Sequence, residues 1–195
     1  MIKNVIFDIG NVLLKFNRNY LLGNFYQGED FEWLKEKIFH DWELMDDDTL
    51  SPEAHLENVL ASLPEKYHAV AKGVLTGWEE FMLYNHATVN LVKELKNKGY
   101  KLFIISNMTR HFIDKEHLFP VLGLFDGIVY SAPLKMLKPQ PEIYKYLIDK
   151  YSLSPSECVF IDDLMENLET AEKLGMKTFL FNDNLMLLRN FIYEN

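Results

Sequence analysis

Residues 4 to 13 read Asn4-Val5-Ile6-Phe7-Asp8-Ile9-Gly10-Asn11-Val12-Leu13, an apolar run closed by an acid and followed by a glycine and an asparagine. Short runs of this kind, apolar without strict alternation and ended by turn formers, suit strands buried on both faces of a sheet. Working outward, four more runs repeat the pattern at 101–106, 127–131, 158–161 and 178–181. Helical spacing fills the gaps. Val89, Leu91, Val92 and Leu95 precede Gly99, Ile143, Tyr144, Leu147 and Ile148 follow a proline-rich start, and Leu168, Ala171 and Leu174 precede Gly175. Strands alternating with helices predict an α/β fold with a parallel, Rossmann-like sheet.

The stretch after the first strand reads differently. It lacks strand runs and carries helical signals, among them Ser51-Pro52-Glu53, which combines an N-cap residue, a proline suited to the first helical position and an early acid. The expected organisation is a core of residues 1–15 and 86–195 split by a helical insert at 16–85. Trp33, Trp42 and Trp78 lie in that insert and are expected to pack its core.

Composition narrows the classes of function. In 195 residues, 48% are hydrophobic and 25% charged, the proportions of an ordinary folded domain. A formal charge of −9 with no basic run argues against nucleic acid as the main partner. No apolar stretch reaches membrane-spanning length, and the N-terminal run is broken at Asp8 too early for a signal peptide. The single cysteine, Cys158, sits in a strand-like run, so no internal disulfide can form and a reducing cytoplasm is expected. The six histidines contain no i, i+4 pair, which disfavours zinc. These patterns leave the oligomeric state open.

In open parallel sheets, ligands bind beyond the carboxyl ends of the strands. Polar residues that close the apolar runs are Asp8, the pair Ser106-Asn107 and the pair Asp162-Asp163, and Lys138, in Leu-Lys-Pro-Gln-Pro-Glu, is expected to open the helix after the third strand. Any one of these is an ordinary cap or turn residue. Three carboxylates and a lysine converging on one edge would be costly unless a cation and an anion sat among them.

The order and spacing of these residues resemble the haloacid dehalogenase-like hydrolases over essentially the whole chain. Phe-Asp8-Ile-Gly10-Asn-Val is similar to the family's first motif, Ile-Ser106-Asn to its second, Lys138-Pro to its third and Ile-Asp162-Asp163 to its fourth, and the insert falls where the family carries a helical cap. Gly-Asn-Val, Ser-Asn-Met-Thr-Arg and Leu-Lys-Pro most resemble the bacterial α-D-glucose-1-phosphate phosphatase branch. The resemblance implies a Mg²⁺-dependent phosphatase acting on a small phosphorylated metabolite. Asp8 would be the nucleophile, Ser106, Asn107 and Lys138 would hold the phosphoryl group, and Asp8, the Gly10 carbonyl, Asp162 and Asp163 would hold the metal.

One position departs from the motif. Most phosphatases of the family place a second aspartate two residues after the nucleophile, and here that residue is Gly10. General acid-base help is worth about 10² to 10⁴-fold in rate. Three readings accommodate its loss: a phosphatase whose substrate has a good leaving group or brings its own acid, a 2-haloacid dehalogenase-type hydrolase, or a catalytically weak phosphometabolite-binding protein. The first is favoured because the glucose-1-phosphate phosphatase branch resembles this chain in that departure, and a carboxylate pair facing Asp8 without a cation argues against the second, since it would repel an anionic substrate.

Among the remaining polar residues, Asp46, Asp47 and Asp48 read as an exposed loop before the Ser51 helix, with no assigned role. Arg110 and His111 read as solvated helix-start residues, and Arg18 could reach a polar substrate. Asn167, four residues past Asp163, either caps the helix that follows it or orients the late aspartates.

Overall fold

The computed structural model describes residues 1–195. Seven strands are formed: β1 Asn4–Phe7, β2 Leu14–Lys15, β3 Leu83–Tyr84, β4 Lys101–Ser106, β5 Gly127–Tyr130, β6 Cys158–Asp162 and β7 Lys177–Leu180. Five of them make one parallel sheet in the order β5-β4-β1-β6-β7, with β1 at its centre. The expected strands are all present, each within a residue of the anticipated limits.

The sheet is covered on both faces, and the alternation of side chains along each strand decides which face is which. Val5 and Phe7 join Leu102, Ile104, Val159 and Ile161 on one side, against Val92 and Leu95 of helix His86–Asn97 and Leu188 and Ile192 of helix Leu185–Glu194. Ile6 faces the other way with Phe103, Ile105 and Phe160, against Ile143, Tyr144 and Leu147 of helix Pro141–Tyr151 and Leu168 and Ala171 of helix Met165–Lys173. A strand buried on both sides has no polar face to show, which is why these runs read as continuously apolar. Gly127 is held by a close approach: a Cβ there would stand 2.2 Å from the Tyr151 ring.

Between β2 and β3 the chain is helical, with helices Arg18–Gly23, Phe31–Ile38, Pro52–Ser62 and His68–Gly77. Ser51 caps the third of these as its sequence predicts, accepting the Ala54 N–H at 3.1 Å with Pro52 in the first turn. The two ends of this helical stretch meet where Leu14 and Lys15 pair antiparallel with Tyr84 and Leu83. That two-residue ladder is too short to have a sequence signature. Trp42 and Trp78 are buried and stack edge to face, with centroids 5.3 Å apart. Trp33 differs from its expected packing: it is 40% exposed and lies against Tyr67 at the surface. No helix is long and apolar enough to cross a membrane.

Candidate active site

The central strand carries Asp8 to the carboxyl edge of the sheet, and its N–H continues the ladder by donating to the Ile161 carbonyl at 2.9 Å. Asp162 and Asp163 leave the same edge from β6, and one carboxylate oxygen from each of the three aspartates lies within 4.8 Å of the others. Ser106 closes β4 and is 1% exposed, and its hydroxyl favours the ionised form of Asp8.

Lys138 reaches into this group from the loop after β5. Its Nζ is 2.8 Å from Asp8 Oδ1 and 2.6 Å from Asp162 Oδ2, and all three side chains are buried. Burial alone would depress the ammonium, but the two carboxylates outweigh it and hold the Lys138 pKa above that of a free lysine. Burial, seconded by Asp162 and opposed by Lys138, pushes the Asp8 carboxyl up to about 6.

The sequence placed Lys138 at a helix start, and the structure corrects this. The helix begins at Pro141, because Gln140, preceding that proline, is extended and acts as the N-cap residue. Lys138 lies in the turn before it, fixed by the Asn107 side chain, which accepts the Lys138 N–H at 2.8 Å and donates to its carbonyl at 3.0 Å. A side-chain amide is a donor and an acceptor at once, so it can clamp both ends of one residue's backbone. The expectation for Asn107 concerned its backbone; its side chain joins the second strand's loop to the lysine.

The two readings of Asn167 are also separated. Its Nδ2 donates to both oxygens of Asp162, at 3.0 and 3.1 Å, and the Leu164 N–H adds a bond of 2.9 Å to Oδ1. Asp163 is less enclosed and is held by Asn11, whose Nδ2 donates to it at 3.1 Å. Asn11 adopts φ 54°, a left-handed conformation that asparagine tolerates better than most residues. Gly10 is not imposed by crowding, since a Cβ there would meet only Asp8 Oδ2, at an ordinary 3.8 Å.

Above the edge lies a cavity of about 280 Å³, walled by Asp8, Gly10, Asn11, Asn107 and Asp163 below and by Phe16, Arg18, Trp42, Glu43, Asp46 and Trp78 above. Arg18 donates to Glu43 at 2.5 Å. Asp46 therefore faces the site, contrary to the exposed loop expected for 46–48. The loop is pulled inward because Ser131 Oγ donates to the Asp46 carbonyl and Arg110 grips both oxygens of Asp48, at 2.7 and 3.0 Å. His111 is likewise not free in solvent, with its Nε2 3.0 Å from the buried Glu79 carboxylate.

The donor set fits a divalent cation. Three carboxylates against one ammonium leave an excess of two negative charges at the edge of the sheet. Asp8, Asp162 and Asp163 are hard oxygen donors of the kind magnesium takes.

A parallel sheet that focuses a carboxylate, a lysine and an acidic pair at its central strand defines a Rossmann-like hydrolase. Residues 2–175 match the haloacid dehalogenase-like hydrolase model, and the chain belongs to that family. Bifunctional epoxide hydrolase 2 of Rattus norvegicus is 29% identical over 186 residues, covering 90% of this chain and 33% of the rat protein, so the chain spans about a third of that relative. D-ribitol-5-phosphate phosphatase of Bacteroides thetaiotaomicron is 25% identical over 203 residues, covering 92% of this chain and 91% of that one. A crystal structure of a HAD family enzyme from the same bacterium, in a magnesium complex, superposes with a TM-score of 0.76 at 25% identity, covering 96% of this chain and 98% of the other.

Proposed function

We propose that the chain is a magnesium-dependent phosphatase that hydrolyses a small phosphorylated metabolite through an aspartyl-phosphate on Asp8. The observation that carries this reading is the buried Lys138 bridging Asp8 and Asp162 beside Asp163, a site charged for a cation and an anionic substrate together.

Asp8, the Gly10 carbonyl, Asp162 and Asp163 would hold the magnesium ion, which when bound neutralises charge on the nucleophile and the phosphoryl group. Lys138 adds a fixed positive charge at Asp8, and Asn107 keeps that charge in place. Ser106 Oγ and the Asn107 N–H donate to phosphoryl oxygens as charge spreads over them. Asn167 fixes the orientation of Asp162. Residues 16–85 act as a cap over the core of 1–15 and 86–195, and the cavity between the aromatic wall and the sheet edge takes the leaving group.

The finer assignment is to a sugar 1-phosphate. It rests on the likeness of Gly10-Asn11-Val12, Ser106-Asn107-Met108-Thr109-Arg110 and Leu137-Lys138-Pro139 to the α-D-glucose-1-phosphate phosphatase branch. Phosphate release from a panel of sugar, acyl and nucleotide phosphates tests both levels. Turnover must require Mg²⁺ and Asp8, and anomeric phosphates must outpace their 6-phosphate isomers. Gly10 also suits attack on carbon, and chloride release from a 2-chloroacid in the presence of chelator would replace this reading with a dehalogenase.

A further inference from the structure

Gly10 leaves the first strand's loop without a proton donor, and the space around it does not explain why. Of the carboxyl groups that line the cavity, Asp8 is the attacking group and Asp163 belongs to the acidic pair and is bonded to Asn11. Glu43 is held by Arg18, whose guanidinium outweighs burial and keeps it below the usual carboxylate range. Asp46 remains. It follows the turn Trp42–Met45, is half-buried, and no hydrogen bond is among the influences on its carboxyl.

The backbone of this residue is tied to the catalytic edge. Ser131, which follows β5, donates to the Asp46 carbonyl while accepting the Met108 N–H at 2.8 Å, so Asp46 is positioned from the same loop that carries Ser106 and Asn107. Two residues on, Asp48 is gripped by Arg110, which follows that loop. A cavity-lining carboxyl on a segment anchored twice to the core faces the space that a leaving group would enter.

We propose that Asp46 is the general acid and base of this site, supplied from the helical insert in place of the aspartate missing at position 10. The proposal rests on the phosphatase reading. In the first half-reaction an Asp8 carboxylate oxygen bonds to phosphorus, the bond from phosphorus to the leaving oxygen breaks, and the Asp46 proton moves to that oxygen. In the second, a water oxygen bonds to phosphorus, its proton passes to the Asp46 carboxylate, and the Asp8–phosphorus bond breaks to release phosphate. Burial first, then the charges of Glu43, Asp8 and Asp47 against the opposing Arg18, push the Asp46 carboxyl up to about 7, where a group can both give and take a proton near neutral pH.

The test compares wild type and Asp46→Asn on an alkyl phosphate and an aryl phosphate, both with Mg²⁺. Without its acid the enzyme must lose about 10²-fold or more in kcat/KM on the alkyl ester, whose alkoxide leaves poorly, and under about threefold on the aryl ester, whose phenolate leaves unaided. Wild-type pH profiles add a reading that needs no variant: an alkaline limb in kcat/KM for the alkyl ester that the aryl ester lacks. Equal losses on both esters, no loss on either, or identical profiles would overturn the assignment. A wild-type chain that releases phosphate from neither ester overturns the phosphatase reading, and this proposal with it.

Discussion

The ammonium of Lys138 stands 2.6 Å from the carboxylate of Asp162, both side chains being shut away from solvent, and the same ammonium is 2.8 Å from Asp8. Removing the lysine leaves two buried carboxylates facing each other with no cation. Breaking a buried pair in this way costs about 3–5 kcal/mol, so Lys138→Met should lose that much stability in chelator by denaturant unfolding. Added Mg²⁺ should restore part of it, because the ion enters the same excess of negative charge. A variant as stable as wild type in chelator would show that the pair is not the strut it looks like.

Asn107 makes its two bonds to the backbone of a single residue. Asn107→Ala should therefore cost about 1–3 kcal/mol through the backbone groups left unpaired. It should also lower kcat/KM for every phosphate ester alike, since the lysine it positions acts on the phosphoryl group and not on the leaving group. A melt together with two esters of different leaving groups checks this. A loss confined to one ester would place Asn107 on the leaving-group side instead.

Asp8 gives a prediction about pH. Its pKa is raised in the folded chain to about 6, from an ordinary value near 4, mainly by burial. Between those values the folded state holds the extra proton, so this group's contribution to stability is fully present below the lower value and is lost as pH rises through the higher one. In chelator, Asp8→Asn should match wild type near pH 4 and exceed it above pH 7 by roughly 1–3 kcal/mol. Melting both proteins across that range tests it; a constant difference would mean that the carboxyl is not strained.

The grip of Arg110 on Asp48 is half-exposed, so solvent screening leaves it little weight in stability. Its effect should be on the cavity wall: Arg110→Ala is expected to raise KM several-fold while the melting temperature barely moves. An unchanged KM would detach loop 46–48 from substrate binding.

The sheet was legible because its inner strands β4, β1 and β6 are buried on both faces, which writes a continuous apolar run into the sequence. Asp8, Ser106, Asp162 and Asp163 were legible because strand ends fall at the edge where ligands bind. Lys138 was found as a residue but misplaced by one turn, since two prolines stand close together and only the second starts the helix. Asp46 was not legible. Its neighbours Asp47 and Asp48 give it the look of a solvated loop, and the contacts that draw it inward, Ser131 and Arg110, lie 85 and 62 residues from their partners in the chain. The Asn107 clamp was hidden for the same reason, its partner being 31 residues away. Helical capping and strand burial are local or nearly so, whereas a site's outer wall depends on which distant segments meet.

The most direct test of the central claim is to look for the covalent intermediate. A single turnover with Mg²⁺ and a phosphate ester, quenched in acid and mapped by peptide mass, should place one phosphoryl group on the peptide containing Asp8. The signal should vanish with chelator and in Asp8→Asn. Phosphate release that proceeds without modification at Asp8, or that survives Asp8→Asn undiminished, would contradict the account.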